Sequence, residues 1–371
     1  MGKPTIFIVA GEHSGDNHAS KLMSEIVKLE PGANFIGIGG TRMIEKGLKC
    51  IVPMEKISVV GFAEVLKNIR VFTKTFKLCK SILEAGDIDL LILVDFPGFN
   101  LRIAEIAHNL GIPVCYYIAP QLWAWGKNRI NSIRKYVDLL LVVFPFEKEF
   151  FSRYVHNVEF VGHPLLDEEA FQNDFLSFEE RDNAIAILPG SRRSEILYHK
   201  QLVKDLALLI KKELPGYTIK IPVADISFSD IILKSIGIPN LVQIATQPYE
   251  VMSQCKIGII KSGTSNLEAA LLGLPFVMFY KTSLPTYLIA RRLVKVEYLS
   301  IINILLNGRY IPEFIQKDAK AEKIVYSVKT ILNNRSIYSQ FQDAFKTLKS
   351  MLGNPGASQR AAQKILDFFG I

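Results

Sequence analysis

Two stretches combine the residue types that hold phosphate. Leu188-Pro-Gly-Ser-Arg-Arg-Ser-Glu195 and Ser262-Gly-Thr-Ser-Asn-Leu-Glu268 each follow an apolar run and each open a helix-like segment. Backbone N–H groups at a helix N-terminus attract anions, and small residues let a phosphate come close. Ser191 and the backbone of Ser262, Gly263, Thr264, Ser265 and Asn266 are the candidate contacts, and Arg192 or Arg193 can add a bidentate charge-assisted bond. Glu268, one turn into its helix, can accept from ribose hydroxyls. Two such junctions in one half-chain point to a phosphate-bearing nucleotide. Neither is a Walker loop, because no G-x-x-x-x-G-K-[ST] occurs, and Gly37-Ile-Gly39-Gly40 falls short of a dinucleotide fingerprint.

The first half carries carboxylates at the ends of apolar runs. Ala10-Gly-Glu-His-Ser-Gly-Asp16 offers Glu12, Ser14 and Asp16; Ser14 or Asp16 can equally cap the next helix. Asp95 follows five apolar residues, and Pro97 and Gly98 turn the chain at once. Desolvation there would raise its pKa and make it a candidate general base; the alternative is a helix cap. Tyr116 to Trp125 holds both tryptophans and reads either as the lining of a sugar or acyl pocket or as an aromatic core cluster. Over 60–80, Val65, Ile69, Phe72 and Phe76 fall on one helical face, with Lys67, Arg70, Lys74, Lys77 and Lys80 on the other. That pattern suits an anionic bilayer surface or a helix packed on a sheet.

These residues need a scaffold with many strand ends. At 371 residues and 49% hydrophobic content, two domains are expected. Strands are expected at 4–10, 34–38, 89–94, 113–117 and 138–143, alternating with helices at about 16–30, 61–84, 99–110 and 147–153. Residues 162–182 read as a linker, after which strands recur near 183–188, 217–221, 241–244, 256–260 and 275–280. Helical patterns at about 320–333, 335–352 and 356–369 end the chain. Nearly continuous apolar strands with helical crossovers mean two doubly wound α/β domains, and the expected site is the cleft between them.

Composition narrows the function further. Residues 1–173 carry 19 Lys/Arg against 19 Asp/Glu, and 174–371 carry 25 against 17, so the net charge of +8 lies in the second half. An anionic ligand is expected there; no motif supports nucleic acid. The start reads as a first strand, not a signal peptide, and no transmembrane run is present. The four cysteines are scattered, as for free thiols in a reducing cytoplasm, and no cluster has metal-ligand spacing.

Taken together, eight blocks resemble bacterial lipid A disaccharide synthases: Ala10–Asp16, Val94–Asn100, Tyr116–Trp125, Phe144–Glu147, Phe160–His163, Leu188–Glu195, Ser262–Glu268 and Pro312–Gln316. The resemblance implies a GT-B fold, with domains at 1–173 and 174–344 and helices 345–371 returning to the first. It implies an inverting transfer from UDP-2,3-diacylglucosamine to 2,3-diacylglucosamine 1-phosphate (lipid X), forming a β(1→6) bond and UDP, with no cofactor or metal. Asp95 would be the base and Glu12 a second candidate. Arg192 would neutralise the diphosphate, Glu268 would hold the ribose, and Asn303 and Gln316 would lie near the donor. Where the family has Leu-Pro-Asn, this chain has Ile301-Ile-Asn303. Acylated substrates favour contact of the 60–80 helix with acyl chains or an anionic inner membrane, and a cytoplasmic, peripherally bound protein. The C-terminal helices fold back or cross to a partner in a homodimer. A UDP-N-acetylglucosamine 2-epimerase or another lipid glycosyltransferase is the alternative.

Overall fold

The computed structural model describes residues 3–57, 69–124, 126–223, 226–293 and 296–371. Val65 and Trp125 lie outside them. The chain forms two compact units, Met1–Asp167 with Ala290–Lys295 and Leu352–Ile371, and Glu168–Ile289 with Val296–Met351.

In the first unit, strands and helices alternate: β1 (Thr5–Ala10), α1 (His13–Leu29), β2 (Asn34–Gly39), α2 (Thr41–Glu45), β3 (Leu48–Pro53), α3 (Ile69–Glu84), β4 (Leu90–Val94), α4 (Pro97–Asn109), β5 (Val114–Tyr117), α5 (Ile130–Tyr136), β6 (Leu139–Val142), α6 (Pro145–Ser152) and β7 (Val158–Phe160). The strands pair in parallel in the order β3-β2-β1-β4-β5-β6-β7. Every residue of β4 is buried, as a sheet covered on both faces requires. The strand order reverses beside β1, so the loops after β1 and β4 leave toward opposite faces and part to form a crevice.

Helix α3 covers the described part of the amphipathic stretch. Thr75, Cys79 and Leu83 are buried, and Phe72 and Phe76 pack against the core, with Phe76 edge-on to Phe99 at 6.1 Å. Phe72 and Phe76 are half-buried, and their packing is what the alternative of a helix laid on the protein's own core expects. Ile69 stays half exposed, and Arg70, Lys74, Lys77 and Lys80 point outward.

The second unit comprises β8 (Asp182–Leu188), α7 (Arg193–Glu213), β9 (Thr218–Pro222), α8 (Ser227–Ile236), β10 (Gln243–Ala245), α9 (Pro248–Gln254), β11 (Cys255–Lys261), α10 (Thr264–Leu271), β12 (Phe276–Tyr280), α11 (Leu284–Leu293), α12 (Ile301–Leu305), β13 (Glu313–Ile315), α13 (Ala321–Asn333) and α14 (Arg335–Met351). Its parallel sheet runs β10-β9-β8-β11-β12-β13, so the order reverses beside β8. The last helix, α15 (Ala357–Phe369), packs on α1 of the first unit. Asp167 caps it by accepting from the N–H groups of Gly356, Ala357 and Ser358 at 2.7–2.9 Å. Among the described residues no helix is long and apolar enough to cross a membrane.

Arg181 organises the base of the second unit. It is buried, and its guanidinium donates to the carbonyls of Leu176, Ser253, Cys255, Leu272 and Gly273 at 2.7–3.2 Å. Most of these carbonyls end α9 and α10, where the helix dipoles are negative. Arg181→Gln should lower unfolding free energy by about 3 kcal/mol or more, the scale of breaking a buried charged network. Urea unfolding followed by circular dichroism measures this, and a loss under about 1 kcal/mol would refute the role.

Candidate functional site

The loops after β1 and β4 bring Glu12 and Asp95 to the crevice beside β1. Asp95 and Phe96 both have left-handed backbones, with φ of 46° and 48°. Asp tolerates this region; a bulky Phe does so only when its surroundings compel it, at about 1–3 kcal/mol. The compulsion is visible. The Asp95 N–H donates to Tyr117 O at 3.2 Å, and the Asp95 carbonyl accepts from Tyr116 Oη at 2.5 Å and Asn100 Nδ2 at 2.7 Å. The Phe96 ring lies where a Gly11 Cβ would be, 2.4 Å away at the closest. Desolvation pushes the Asp95 carboxyl up to about 7, helped by the negative charge of Glu12 and opposed by the Phe96 N–H.

Asp16 belongs elsewhere. It is buried, and its carboxylate accepts from the N–H groups of Gly40 (2.7 Å), Arg42 (3.1 Å) and Met43 (3.2 Å). These are the orphan donors that start α2, so Asp16 caps that helix and its oxygens are spent inside the fold. The expectation of acceptor contact is corrected for Asp16. Ser14 sits half-buried in the first turn of α1. Tyr116 and Tyr117 are fully buried, which fits the core reading of the aromatic stretch. Trp123 instead donates from Nε1 to Glu147 Oε1 at 2.9 Å. Burial lifts the Glu147 carboxyl to about 7.

In the second unit β8 and β11 are neighbours, with Leu188 opposite Ile260. The two phosphate-type turns therefore meet beside the strand-order reversal. Arg192 is the N-cap residue of α7, and Gly263 that of α10. Gly263 and Thr264 are exposed, while Ser262 and Ser265 are half-buried. Asn266 is buried, and its Nδ2 donates to Lys261 O at 2.9 Å, tightening the turn from below. Burial raises the Glu268 carboxyl to about 7, against the stabilising hydrogen bond of Ser265.

Glu195, which closes the first stretch, and Lys261 and His199, which no motif singled out, join this edge. Glu195 Oε1 accepts from Lys261 Nζ at 2.7 Å and lies 3.6 Å from Arg192 Nη1; its Oε2 accepts from the Ser191 N–H at 3.1 Å. Burial works to raise the Glu195 pKa, but the positive charge of Lys261, with Arg192, outweighs it and holds the carboxyl below its usual value. His199, buried, bridges Pro189 O (2.7 Å) and Lys281 O (3.0 Å). The Glu195–Lys261 pair joins residues 66 positions apart and has no local pattern.

Asn303 is a second correction. It is fully buried, and its Nδ2 donates to Ile311 O and Glu313 Oε1, both at 2.9 Å. Its Oδ1 accepts from the N–H groups of Tyr310 (2.9 Å) and Ile311 (2.8 Å). All four hydrogen-bond positions of the amide are used, so none is left for a sugar nucleotide. Gln316, with φ of 50°, pairs with the Thr282 backbone through both ends of its amide, at 3.3 and 3.1 Å.

The geometry can be set beside known proteins. A family model described as Lipid-A-disaccharide synthetase matches residues 6–366. The lipid-A-disaccharide synthase of Geobacter sulfurreducens is 37% identical over 98% of this chain and 97% of its own. The chain belongs to the lipid-A-disaccharide synthase family. Members of this family are glycosyltransferases, and so is this chain. Among solved structures, a UDP-GlcNAc 2-epimerase from Neisseria meningitidis bound to UDP-GlcNAc aligns with a TM-score of 0.64 at 15% identity, covering 99% of this chain and 100% of that one. A glycotransferase of kitacinnamycin aligns at 0.60 and 13%, covering 98% and 99%. These likenesses carry the fold, which is GT-B; the family match does not favour the epimerase alternative.

For Asn303, saturation of the amide predicts a structural phenotype. Asn303→Ala should lower stability by about 2 kcal/mol or more, through unpaired buried groups, and leave the donor KM of the remaining folded enzyme within about twofold, a difference worth under 0.5 kcal/mol. A thermal melt with donor-titration kinetics checks both; a large KM rise at unchanged stability would restore Asn303 to the binding site.

Proposed function

We propose that this chain transfers the sugar of UDP-2,3-diacylglucosamine to the 6-hydroxyl of 2,3-diacylglucosamine 1-phosphate. The acceptor oxygen attacks the donor C1 from the face opposite UDP. The C1–O bond to UDP breaks, UDP leaves, and the α-linkage of the donor becomes β(1→6). Asp95 takes the hydroxyl proton. A base works best with a pKa near the working pH, and the observation that carries this role is the Asp95 carboxyl raised to about 7 on a strained loop beside Glu12. Glu12 shares the crevice and orients the acceptor.

The second unit supplies the donor site in this reading. Arg192 and the N–H groups opening α10 offset the charge that builds on the departing diphosphate. Glu268 holds the ribose, as its place one turn into α10 supports. UDP-bound relatives of the same fold are in keeping with a UDP-sugar ligand. The acylated substrates call for a lipid surface, so the same proposal binds the protein peripherally to the cytoplasmic face of the inner membrane. The outward basic residues of α3 and half-exposed Ile69 support that contact.

The test is UDP release with both acylated substrates in the presence of EDTA. Release should need the acceptor, and Asp95→Asn should lower kcat by about 10²–10⁴-fold. Release without acceptor, or full activity of the variant, would overturn the assignment. The pH profile gives a second check. The base must be ionised, so kcat should fall as pH drops below about 7. Glu12→Gln removes a like charge that raises the Asp95 pKa, so its acid limb should move to lower pH; an unmoved limb would separate Glu12 from Asp95.

A further inference from the structure

The Arg192 turn is held by a residue that touches no expected ligand. Arg192 caps α7 and Lys261 ends β11, on adjacent strands. Both cations approach the same oxygen, Glu195 Oε1, at 3.6 and 2.7 Å. The other oxygen takes the Ser191 N–H at 3.1 Å. Gly190 lies directly beneath this side chain: with φ of 135°, a Cβ there would stand 2.5 Å from Glu195 Oε2. On the far side of the turn His199 meets Pro189 O, and Asn266 holds Lys261 O. The turn is therefore pinned at 189, 190, 191 and 192, and the pin in its middle is one carboxylate.

We infer that Glu195 is a positioning residue for diphosphate binding: it holds Arg192 and Lys261, which would otherwise repel one another, side by side at the mouth of the turn. The inference rests on the proposed reading of this edge as the UDP site, and it adds Lys261 as a second cation beside Arg192. An acid beside an anion site carries a cost. By charge alone, removing Glu195 should tighten the binding of UDP. Positioning predicts the reverse, because the cations and the Ser191 N–H lose their fixed directions. The two accounts differ in sign.

Calorimetric titration with UDP and with uridine, which lacks phosphate, separates them. Glu195→Gln should weaken UDP about tenfold, the worth of one charge-assisted hydrogen bond, and leave uridine within twofold. Glu195→Asp keeps the charge but draws the carboxylate back by one methylene, and should also weaken UDP. Unchanged or tighter UDP binding in the Gln variant, or wild-type binding in the Asp variant, would overturn the inference. Equal losses for uridine and UDP would also overturn it, by showing general damage to the unit. Arg192→Ala is the control for the underlying reading. If it leaves UDP affinity unchanged, this edge is not the diphosphate site; if it weakens UDP while both Glu195 variants bind normally, only the positioning role is lost.

Discussion

Parallel strands joined by right-handed crossovers can bring loops together in few places. Each sheet starts in its middle, at β1 or β8, extends one way for two strands and then resumes on the other side. The loops on either side of the starting strand must leave toward opposite faces, and the gap between them cannot be filled by a crossover helix. In both units the chemistry-bearing residues follow the two strands that border this gap: Glu12 and Asp95 in one, Arg192 and Ser262–Glu268 in the other. The same constraint, met twice, yields one edge of carboxylates and one edge of cations and backbone donors.

Around these edges, polar side chains do much of the construction. Asp16 starts α2, Asp167 starts α15, Asn303 ties α12 to the approach of β13, and Arg181 gathers the ends of α9 and α10. Asp16, Asp167 and Arg181 answer backbone groups that helix termini leave without partners, and Asn303 answers those of the connection at Tyr310 and Ile311. They differ from Asp95 and Glu268 in one respect. The construction groups have their hydrogen-bond positions filled, whereas burial lifts Asp95 and Glu268 to about 7 with fewer compensating bonds. A carboxyl raised in this way favours the folded state while protonated and loses that contribution as pH rises through about 7. The fold carries this cost at neutral pH at Asp95 and Glu268, two of the residues proposed to meet substrate, and also at Glu147.

Much of this was legible because the central strands are buried on both faces. β1, β4, residues 184–188 of β8 and residues 257–260 of β11 read as apolar runs, and the residues ending them stand out by contrast. The edge strands β3, β7 and β13 did not read, since they are short or only half covered. Residue type proved a weaker guide than partner count. Asp16 and Asn303 have the chemistry of ligand contacts, but the donors that consume them lie at least 24 and 7 positions away, with no periodic signal. The amphipathic stretch showed its two faces plainly, yet a pattern cannot say whether an apolar face meets lipid or the protein's own sheet. The Glu195–Lys261 pair was no more legible than the partners of Asp16: the meeting is made by the pairing of β8 with β11.

The ring of Phe96 over Gly11 links the loops that follow β1 and β4. Any side chain at 11 would have to displace the ring, and the ring is what stands against the left-handed turn at 95 and 96. The two positions are therefore not independent targets for drift. An alanine at 11 would be tolerated only after position 96 had shrunk, and a smaller residue at 96 would in turn release the constraint on 11. Across descendants of this sequence the pair should change together or stay fixed together, and the order of the two substitutions should decide whether the intermediate survives.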